Sequence, residues 1–198
     1  MDAEQFLIVL LVVVNVAMGL GFAAPIARLL GRISGKSASL VRYVIMLVAV
    51  YFAECVAFSA GMATQVFSIG LAFVWGAVLG LWLRRRAPAN KVLKAAVYWA
   101  LYGSLPTVSF CILVLFSFVI AGESILSSEA GVEFGIPDLV PWPLNTILGF
   151  CAALGIGTAV LKTAITTGEV RLLIHLAEKS ARDGSSRADK NLSIDLTK

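Results

Sequence analysis

The chain has 198 residues, of which 59% are hydrophobic and only 14% are charged, and its formal net charge is +4. In soluble domains about a quarter of all residues are charged. The mean hydropathy of this chain is +0.91. The apolar residues gather in blocks of about twenty, and each block is long enough to cross ~30 Å of hydrocarbon as a helix. The composition therefore excludes secreted disulfide scaffolds, disordered tails and soluble Rossmann or barrel enzymes.

Five apolar blocks predict five transmembrane helices, at residues 6–25, 43–61, 66–83, 95–122 and 144–161. Long runs rich in Leu, Val, Ala and Phe favour helices over barrel strands, because backbone groups in lipid must be satisfied within their own segment. The acidic leader at residues 1–5 lacks the basic region of a signal peptide, so we expect the first block to be a mature span. We expect residues 1–168 to form an all-α bundle of five transmembrane helices.

The positions of Lys and Arg predict the orientation of this bundle. All 16 basic residues fall in the first connection, in the third connection, or at and beyond the end of the fifth span. The second connection has no charged residue, and every charged residue of the fourth connection is acidic. Because basic flanks stay in the cytoplasm, we expect the N-terminus outside and the C-terminus in the cytoplasm. We expect a multi-pass protein of the plasma membrane of a prokaryote, with anionic lipids on its cytoplasmic side.

Residues 169–183 predict a juxtamembrane amphipathic helix, because an apolar and a polar stripe run along them at helical spacing. The apolar stripe consists of Val170, Leu173, Ile174 and Ala177, and the polar stripe of Arg171, His175, Glu178 and Arg182. From residue 184 onward the chain is rich in serine and charged residues. Such a segment has little to bury, so we expect residues 184–198 to be a mobile cytoplasmic tail.

Glu54 is the one acidic residue within a predicted span. It lies about 18 Å from the expected inner end of its helix, where a carboxylate is costly unless it is paired, hydrated or protonated. No Lys or Arg falls in a predicted span at that depth. We therefore expect Glu54 to be protonated, to be hydrated from outside, or to pair with another subunit. Asn15 on the first helix lies at nearly the same depth and is the best partner within the chain.

The predicted fourth span contains a candidate hinge at Pro106 and Gly103. A helix over residues 95–122 is about 42 Å long, against ~30 Å of hydrocarbon, so it must tilt, bend or protrude. Pro106 removes the helical hydrogen bond to the carbonyl of Tyr102, and small or hydroxyl-bearing neighbours can satisfy the freed groups. Both an architectural kink and a bend that lines a ligand path fit this pattern.

Small residues recur at four-residue spacing on two of the predicted helices. The stripes are Ala72, Gly76 and Gly80 on the third helix, and Gly149, Ala153 and Gly157 on the fifth. In lipid, close approach of two backbones along such stripes is a main source of helix association. We expect the stripe of the fifth helix to pack within the chain, and the third helix leaves both options open.

The sequence contains no recognisable catalytic or cofactor motif. The single histidine, His175, lies in the predicted juxtamembrane helix beyond the spans, which excludes a haem held by two histidines, a zinc-protease motif and an intramembrane catalytic triad. Cys55, Cys111 and Cys151 lie on three different spans, but three thiols are too few for a four-ligand cluster, and free cysteine is ordinarily a small buried hydrophobe. We expect no cofactor, no metal and no enzymatic activity. Basic residues that flank spans also do not form a nucleic-acid surface.

Two topological resemblances accompany these features. Five spans, an outside N-terminus and a short basic tail resemble the J-type membrane subunit of respiratory complex I, and the helix with Glu54 is similar to the acidic helices of proton-translocating rotor subunits. However, residues 66–72 lack the Tyr-Ala-Gly pattern expected of the J-type subunit, and three further helices follow where a rotor hairpin would end. No residue-specific role is carried over from either family.

Two functions fit the sequence. The first is a non-catalytic integral membrane subunit of a larger complex, with complexes that move protons or ions as one candidate class. The alternative is a small homo-oligomeric channel or transporter in which Glu54 and the Pro106 kink line the path. In either case we expect the partners to be the lipid bilayer and other membrane subunits or further copies of this chain.

Overall fold

A computed structural model of the chain describes residues 3–34, 40–60, 65–84, 87–121 and 143–195. In chain order the helices are α1 Ala3–Ser34, α2 Leu40–Ala60, α3 Val66–Leu83, α4 Ala89–Gly103, α5 Leu105–Ala121 and α6 Leu144–Asp195. No strand occurs in these ranges. Most of the fourth connection, at residues 122–142, and the last residues of the predicted tail, 196–198, lie outside the described residues.

Within the described ranges, five helical stretches are long and apolar enough to cross a membrane, in agreement with the five predicted apolar blocks, and the all-helical fold class is confirmed. They cover Val12–Ile33, Leu40–Ala60, Val66–Leu83, Ala89–Phe116 and Leu144–Ser180. Large apolar side chains remain exposed along these helices; Phe52, for example, is 70% exposed and Ile156 66% exposed. Exposed apolar surface on this scale is compatible with a multi-pass membrane protein.

The structure divides the predicted fourth span into α4 and α5. Ser104 separates them with φ −90° and ψ −9°, and its backbone N–H donates to the carbonyl of Leu101 at 3.1 Å. Pro106 is the second residue of α5, where its missing N–H is tolerated because the first turn of a helix has no intrahelical acceptor for it. The break therefore falls within three residues of the predicted hinge.

Helix α6 is much longer than the predicted fifth span, which was placed at residues 144–161. The predicted amphipathic helix at 169–183 is a continuation of α6 rather than a separate element. Its apolar stripe packs inside the bundle: Val170 is fully buried, Ile174 packs against the core, and Leu173 contacts α3 at Gly80. The apolar stripe thus covers protein surface in this chain.

Helices α3 and α6 lie side by side and run in the same direction. The hydroxyl of Thr166 donates to the carbonyl of Ala72 at 3.3 Å, and a Cβ added at Gly76 would lie 2.7 Å from the Cβ of Glu169. A Cβ added at Gly80 would lie 2.6 Å from Leu173 Cδ1. From this register, α3 lies level with about residues 159–176 of α6, at 1.5 Å per residue in both helices. The small-residue stripe of α3 is thus a packing seam within the chain.

The main core lies toward one end of the bundle, called here the basic end because Arg32, Arg42 and Arg84 stand where α1 ends, α2 begins and α3 ends. Fully buried core residues at this end include Leu30, Leu47, Leu83, Val92 and Val170. A second, smaller cluster joins α5 and α6 further along the bundle; it consists of Phe110, Cys111, Val114, Ile147 and Cys151. The polar site described next lies between these two cores.

The seam between α3 and α6 yields a prediction for Gly76→Leu. Any side chain at this position meets the Cβ of Glu169 and, at 3.2 Å, the Cα of Thr166, so backbone atoms must move apart. We expect a loss of thermal stability of about 1–3 kcal/mol, the usual cost of overpacking. Val78→Leu on the same helix is the control, because Val78 is 45% exposed. Equal melting temperatures for the two variants in detergent would contradict the seam.

Candidate functional site: a buried ion pair beside a helix break

Glu54 of α2 forms an ion pair with Lys162 of α6. The Lys162 Nζ lies 2.5 Å from Glu54 Oε2, and both side chains are only 1% exposed. The expectation that no cation of the same chain lies at the depth of Glu54 is therefore wrong. Lys162 follows the most apolar part of its segment, so the sequence predicts it at the inner boundary, whereas in the structure α6 continues past it and the ammonium lies inside the bundle.

The hydrogen bonds around the pair come from four helices. Glu54 Oε1 accepts from the indole N–H of Trp75 at 3.0 Å, and Oε2 accepts from the hydroxyl of Ser68 at 3.0 Å as well as from Lys162. The Lys162 ammonium also donates to the carbonyl of Gly103 at 2.7 Å. The site thus joins α2, α3, α4 and α6. Ser68 and Trp75 were not singled out in the sequence, although both lie on the helix that follows the one with Glu54.

The candidate hinge residue Gly103 and the acid Glu54 belong to one site. A Cβ added at Gly103 would lie 2.9 Å from Glu54 Oε1 and 3.6 Å from Lys162 Nζ. Glycine at this position lets the end of α4 approach the two charged groups. Its carbonyl, next to the break between α4 and α5, is also the second acceptor for the lysine. The break, the acid and the base therefore occupy one place in the bundle.

Burial of both charges is tolerable because they neutralise each other and their remaining hydrogen-bonding capacity is used. An unpaired charge inside an apolar bundle costs several kcal/mol, and removing one member of a buried pair typically costs about 3–5 kcal/mol. A paired carboxylate and ammonium with three further hydrogen bonds present no net charge to the surrounding helices. In this arrangement neither group is open to an external molecule.

Asn15, the expected partner of Glu54 within the chain, instead serves Tyr51. The Tyr51 hydroxyl lies 2.5 Å from Asn15 Oδ1, and the Cys55 thiol lies 3.8 Å from the same oxygen. Tyr51 and Cys55 are one turn apart on the face of α2 toward α1, whereas Glu54 faces α3 and α6. A shared depth therefore did not make Asn15 and Glu54 neighbours, because the two side chains leave their helices in different directions.

Two tyrosines extend this second polar network across α1, α2 and α4. The hydroxyl of Tyr102 donates to the carbonyls of Gly19 at 3.1 Å and Leu47 at 3.2 Å, and its ring lies 5.4 Å from that of Tyr51. A Cβ at Gly19 would lie 2.6 Å from Tyr51 Cε1, so glycine there makes room for the tyrosine. The network fixes α1 against α2 and α4 through neutral groups.

The three cysteines do not converge. Cys111 and Cys151 face each other across α5 and α6, and each thiol lies near the backbone carbonyl of the other residue, at 3.5 Å and 3.8 Å. Cys55 is with Asn15 in the other network, and all three are free thiols. Among the residues that the structure describes, no group of three or more His, Cys, Asp and Glu side chains is placed to hold a metal ion.

The two small-residue stripes lie in different surroundings. Ala72, Gly76 and Gly80 are buried against α6, as described above. Gly149, Ala153 and Gly157 are exposed, and a Cβ added at Gly149 or Gly157 would have no neighbour within 4 Å. The expectation that the stripe of the fifth span packs within the chain is therefore wrong. It faces outward, away from the helices that the structure describes.

Lys162 has a sequence signature that charge balance reveals. Leu161 and Val160 precede it, and Thr163, Ala164 and Ile165 follow it, so apolar or weakly polar residues flank this lysine on both sides. An unpaired acid in a predicted span requires a base, and a lysine flanked in this way is the natural candidate.

Comparison of the chain with models of protein families, with curated proteins and with solved structures finds no match in any of the three.

The ion pair yields a prediction in the form of a double-mutant cycle. Glu54→Gln leaves a buried lysine without its counter-ion, and Lys162→Met leaves a buried carboxylate without its cation, so each change should cost about 3–5 kcal/mol of stability. The double variant Glu54→Gln/Lys162→Met removes both charges. We expect it to be more stable than either single variant, as measured by thermal unfolding in mild detergent.

Glu178→Gln and Lys179→Met are the matched controls, because both residues are exposed on α6. These changes should leave the melting temperature nearly unchanged. Costs for Glu54→Gln and Lys162→Met that simply add in the double variant would show that the two groups do not depend on each other.

Proposed function

We propose that this chain is a non-catalytic integral membrane subunit of a larger membrane assembly. The observation that carries the proposal is the outward-facing stripe of Gly149, Ala153 and Gly157 on α6. The orientation expected from the basic residues, with the C-terminal end of α6 in the cytoplasm, belongs to the same proposal.

An exposed stripe of small residues has a specific physical meaning in lipid. Bulky apolar side chains such as Ile156 and Val160, which are 66% and 62% exposed on the same helix, contact acyl chains as well as they contact protein. Small residues instead allow a second helix to approach the backbone closely, where dispersion contacts and weak hydrogen bonds are strongest. The equivalent stripe on α3 is already covered by α6, whereas no helix that the structure describes covers the stripe on α6, so that stripe can accept a helix from outside this chain.

The polar interior of the bundle supports a non-catalytic role. Catalysis requires a reactive group within reach of a substrate. Glu54 and Lys162 are enclosed and bonded to each other, and the Tyr51 and Tyr102 hydroxyls already donate to protein oxygens. Within the described ranges, the ionisable groups of the interior are thus engaged in holding helices together.

The assembly proposal predicts that Ala153→Leu and Gly157→Leu separate the chain from its partner without unfolding it. A Cβ added at Gly157 has no described atom within 4 Å, so the start of a leucine side chain meets no obstacle there, but the side chain blocks close approach of a second backbone. The particle mass of the protein purified in mild detergent from its native membrane measures association, and the melting temperature measures folding. Val160→Leu is the control, since it adds one methylene beside the stripe.

The same purification identifies the partner. Foreign subunits in stoichiometric amount would favour a mixed complex, whereas a particle made only of this chain would favour self-association. A monomeric wild-type protein, or variants at Ala153 and Gly157 with the wild-type particle mass, would contradict the proposal.

A second candidate function is a small channel or transporter in which the pair and the helix break form part of the path. The observation that favours it is the contact of Lys162 with the carbonyl of Gly103, at the end of a discontinuous helix. Broken helices that present free carbonyls near buried charges form the ion and substrate sites of many transporters. Movement of α5 relative to α4 would then alter the partners of the lysine.

This candidate predicts that Glu54→Gln/Lys162→Met folds but abolishes ion movement in reconstituted vesicles. Removal of both charges keeps the interior neutral, so folding is preserved, while the groups that would exchange a proton or ion are lost. Glu178→Gln/Lys179→Met should keep the wild-type rate. Vesicles in which the double variant moves ions as fast as the wild-type protein would exclude a role for the pair in transport.

A further inference from the structure

A groove of about 620 Å³ opens between α1 and the α4–α5 pair. Most of its wall is apolar, with Phe22 and Pro25 on one side and Leu101 and Leu105 on the other. Arg28 and Arg32 of α1 line its end nearest the basic end of the bundle. The groove therefore combines a long apolar wall with two cationic groups at one end.

The two guanidinium groups are exposed and lie one helical turn apart. Among the residues that the structure describes, Glu54 and Lys162 form an ion pair with each other, and no carboxylate forms an ion pair with Arg28 or Arg32. Like charges at this spacing repel each other by a few tenths of a kcal/mol on an exposed helix. An anion between them would relieve the repulsion, and the planar guanidinium fork matches two oxygens of a phosphate.

A third cation, Lys94 of α4, lies beyond the residues that line the groove, one turn before Tyr98. The hydroxyl of Tyr102 on α4 donates a hydrogen bond to the carbonyl of Gly19 on α1, so these two residues are about level. The two helices run in opposite directions, and at 1.5 Å per residue Lys94 is therefore about level with Arg28. Lys94 is exposed, and Tyr98 lines the groove. The two arginines of α1 are thus the cations that line the groove, and Lys94 adds positive charge near its end.

The length of the groove matches one leaflet of a bilayer. Arg32 and Phe22 are about 15 Å apart along α1, which is half of the ~30 Å hydrocarbon core. A ligand whose anionic group contacts the arginines can therefore lay an acyl chain along the apolar wall to the depth of Phe22. A free phosphate would use only the end of the groove and would leave the apolar wall uncovered.

We propose that the groove between α1 and α4–α5 binds one anionic phospholipid, with its phosphate on Arg28 and Arg32 and an acyl chain along Phe22, Leu101 and Leu105. The proposal goes beyond the general attraction of basic flanks to anionic lipid, because it names one groove and one stoichiometric ligand. It is also independent of the helix partner proposed for Gly149, Ala153 and Gly157.

The test compares lipid binding by the full chain in mild detergent, using native mass spectrometry during titration with long-chain phosphatidylglycerol or phosphatidylcholine. We expect one phosphatidylglycerol to bind with an affinity at least about tenfold higher than that of phosphatidylcholine, the size of effect that two basic groups at a membrane surface produce. Arg28→Gln/Arg32→Gln should remove this preference. Its melting temperature in phosphatidylcholine should equal that of the wild-type protein, which shows that the variant is folded.

Arg42→Gln/Arg171→Gln is the charge-matched control, since both arginines are exposed and neither lines the groove. It should keep the preference for phosphatidylglycerol, and an equal loss in this control would reduce the effect to net charge and overturn the site. Glycerol 3-phosphate and dihexanoyl phosphatidylglycerol complete the series. Equal binding of either compound and the long-chain lipid would show that the apolar wall contributes nothing and would overturn the proposal in favour of a phosphate site.

Discussion

The contact between Glu54 and Lys162 is the constraint on which the middle of this bundle depends. Two opposite charges enclosed by apolar helices are tolerable only in contact, so their positions along α2 and α6 are coupled. The carboxylate further requires donors on α3, which Ser68 and Trp75 supply, and the ammonium requires an acceptor on α4, which Gly103 supplies. A single pair thereby fixes the relative height of four helices, something that non-directional apolar packing does not do.

The position of α6 follows from this constraint. With Lys162 level with Glu54, the segment beyond the lysine runs beside α3, and the glycines of α3 accommodate Glu169 and Leu173. The part of α6 before the lysine then lies against α5, where Cys111 and Cys151 meet. The break between α4 and α5 is consistent with the same geometry, because Gly103 must end one helix close to the charges while Pro106 lies in the first turn of the next.

The length of the apolar runs predicted five spans, since hydrocarbon thickness sets the length of a helix that crosses it. Glu54, Gly103 and Pro106 were also identifiable singly, because acids, glycines and prolines within apolar runs each violate a local preference. Their convergence was not predictable from depth alone, as Asn15 illustrates: the direction in which a side chain leaves its helix depends on how each helix is rotated. The role of Lys162 is not predictable for a different reason: a charge after an apolar run predicts the end of a span, and the partner of this charge lies on a distant helix.

Small residues at four-residue spacing also show that a sequence pattern does not specify which helices pack together, since one pattern has two outcomes in this chain. On α3 the stripe is covered by α6, and on α6 the stripe is exposed. Spacing specifies that a backbone can be approached, but which helix approaches depends on the faces that remain after the charges are paired. The pairing of Glu54 with Lys162 turns the lysine face of α6 inward. Residues on other faces of α6 therefore point outward, and these include Gly149, Ala153 and Gly157. The interior charge pair thereby determines which face of α6 the described helices leave uncovered.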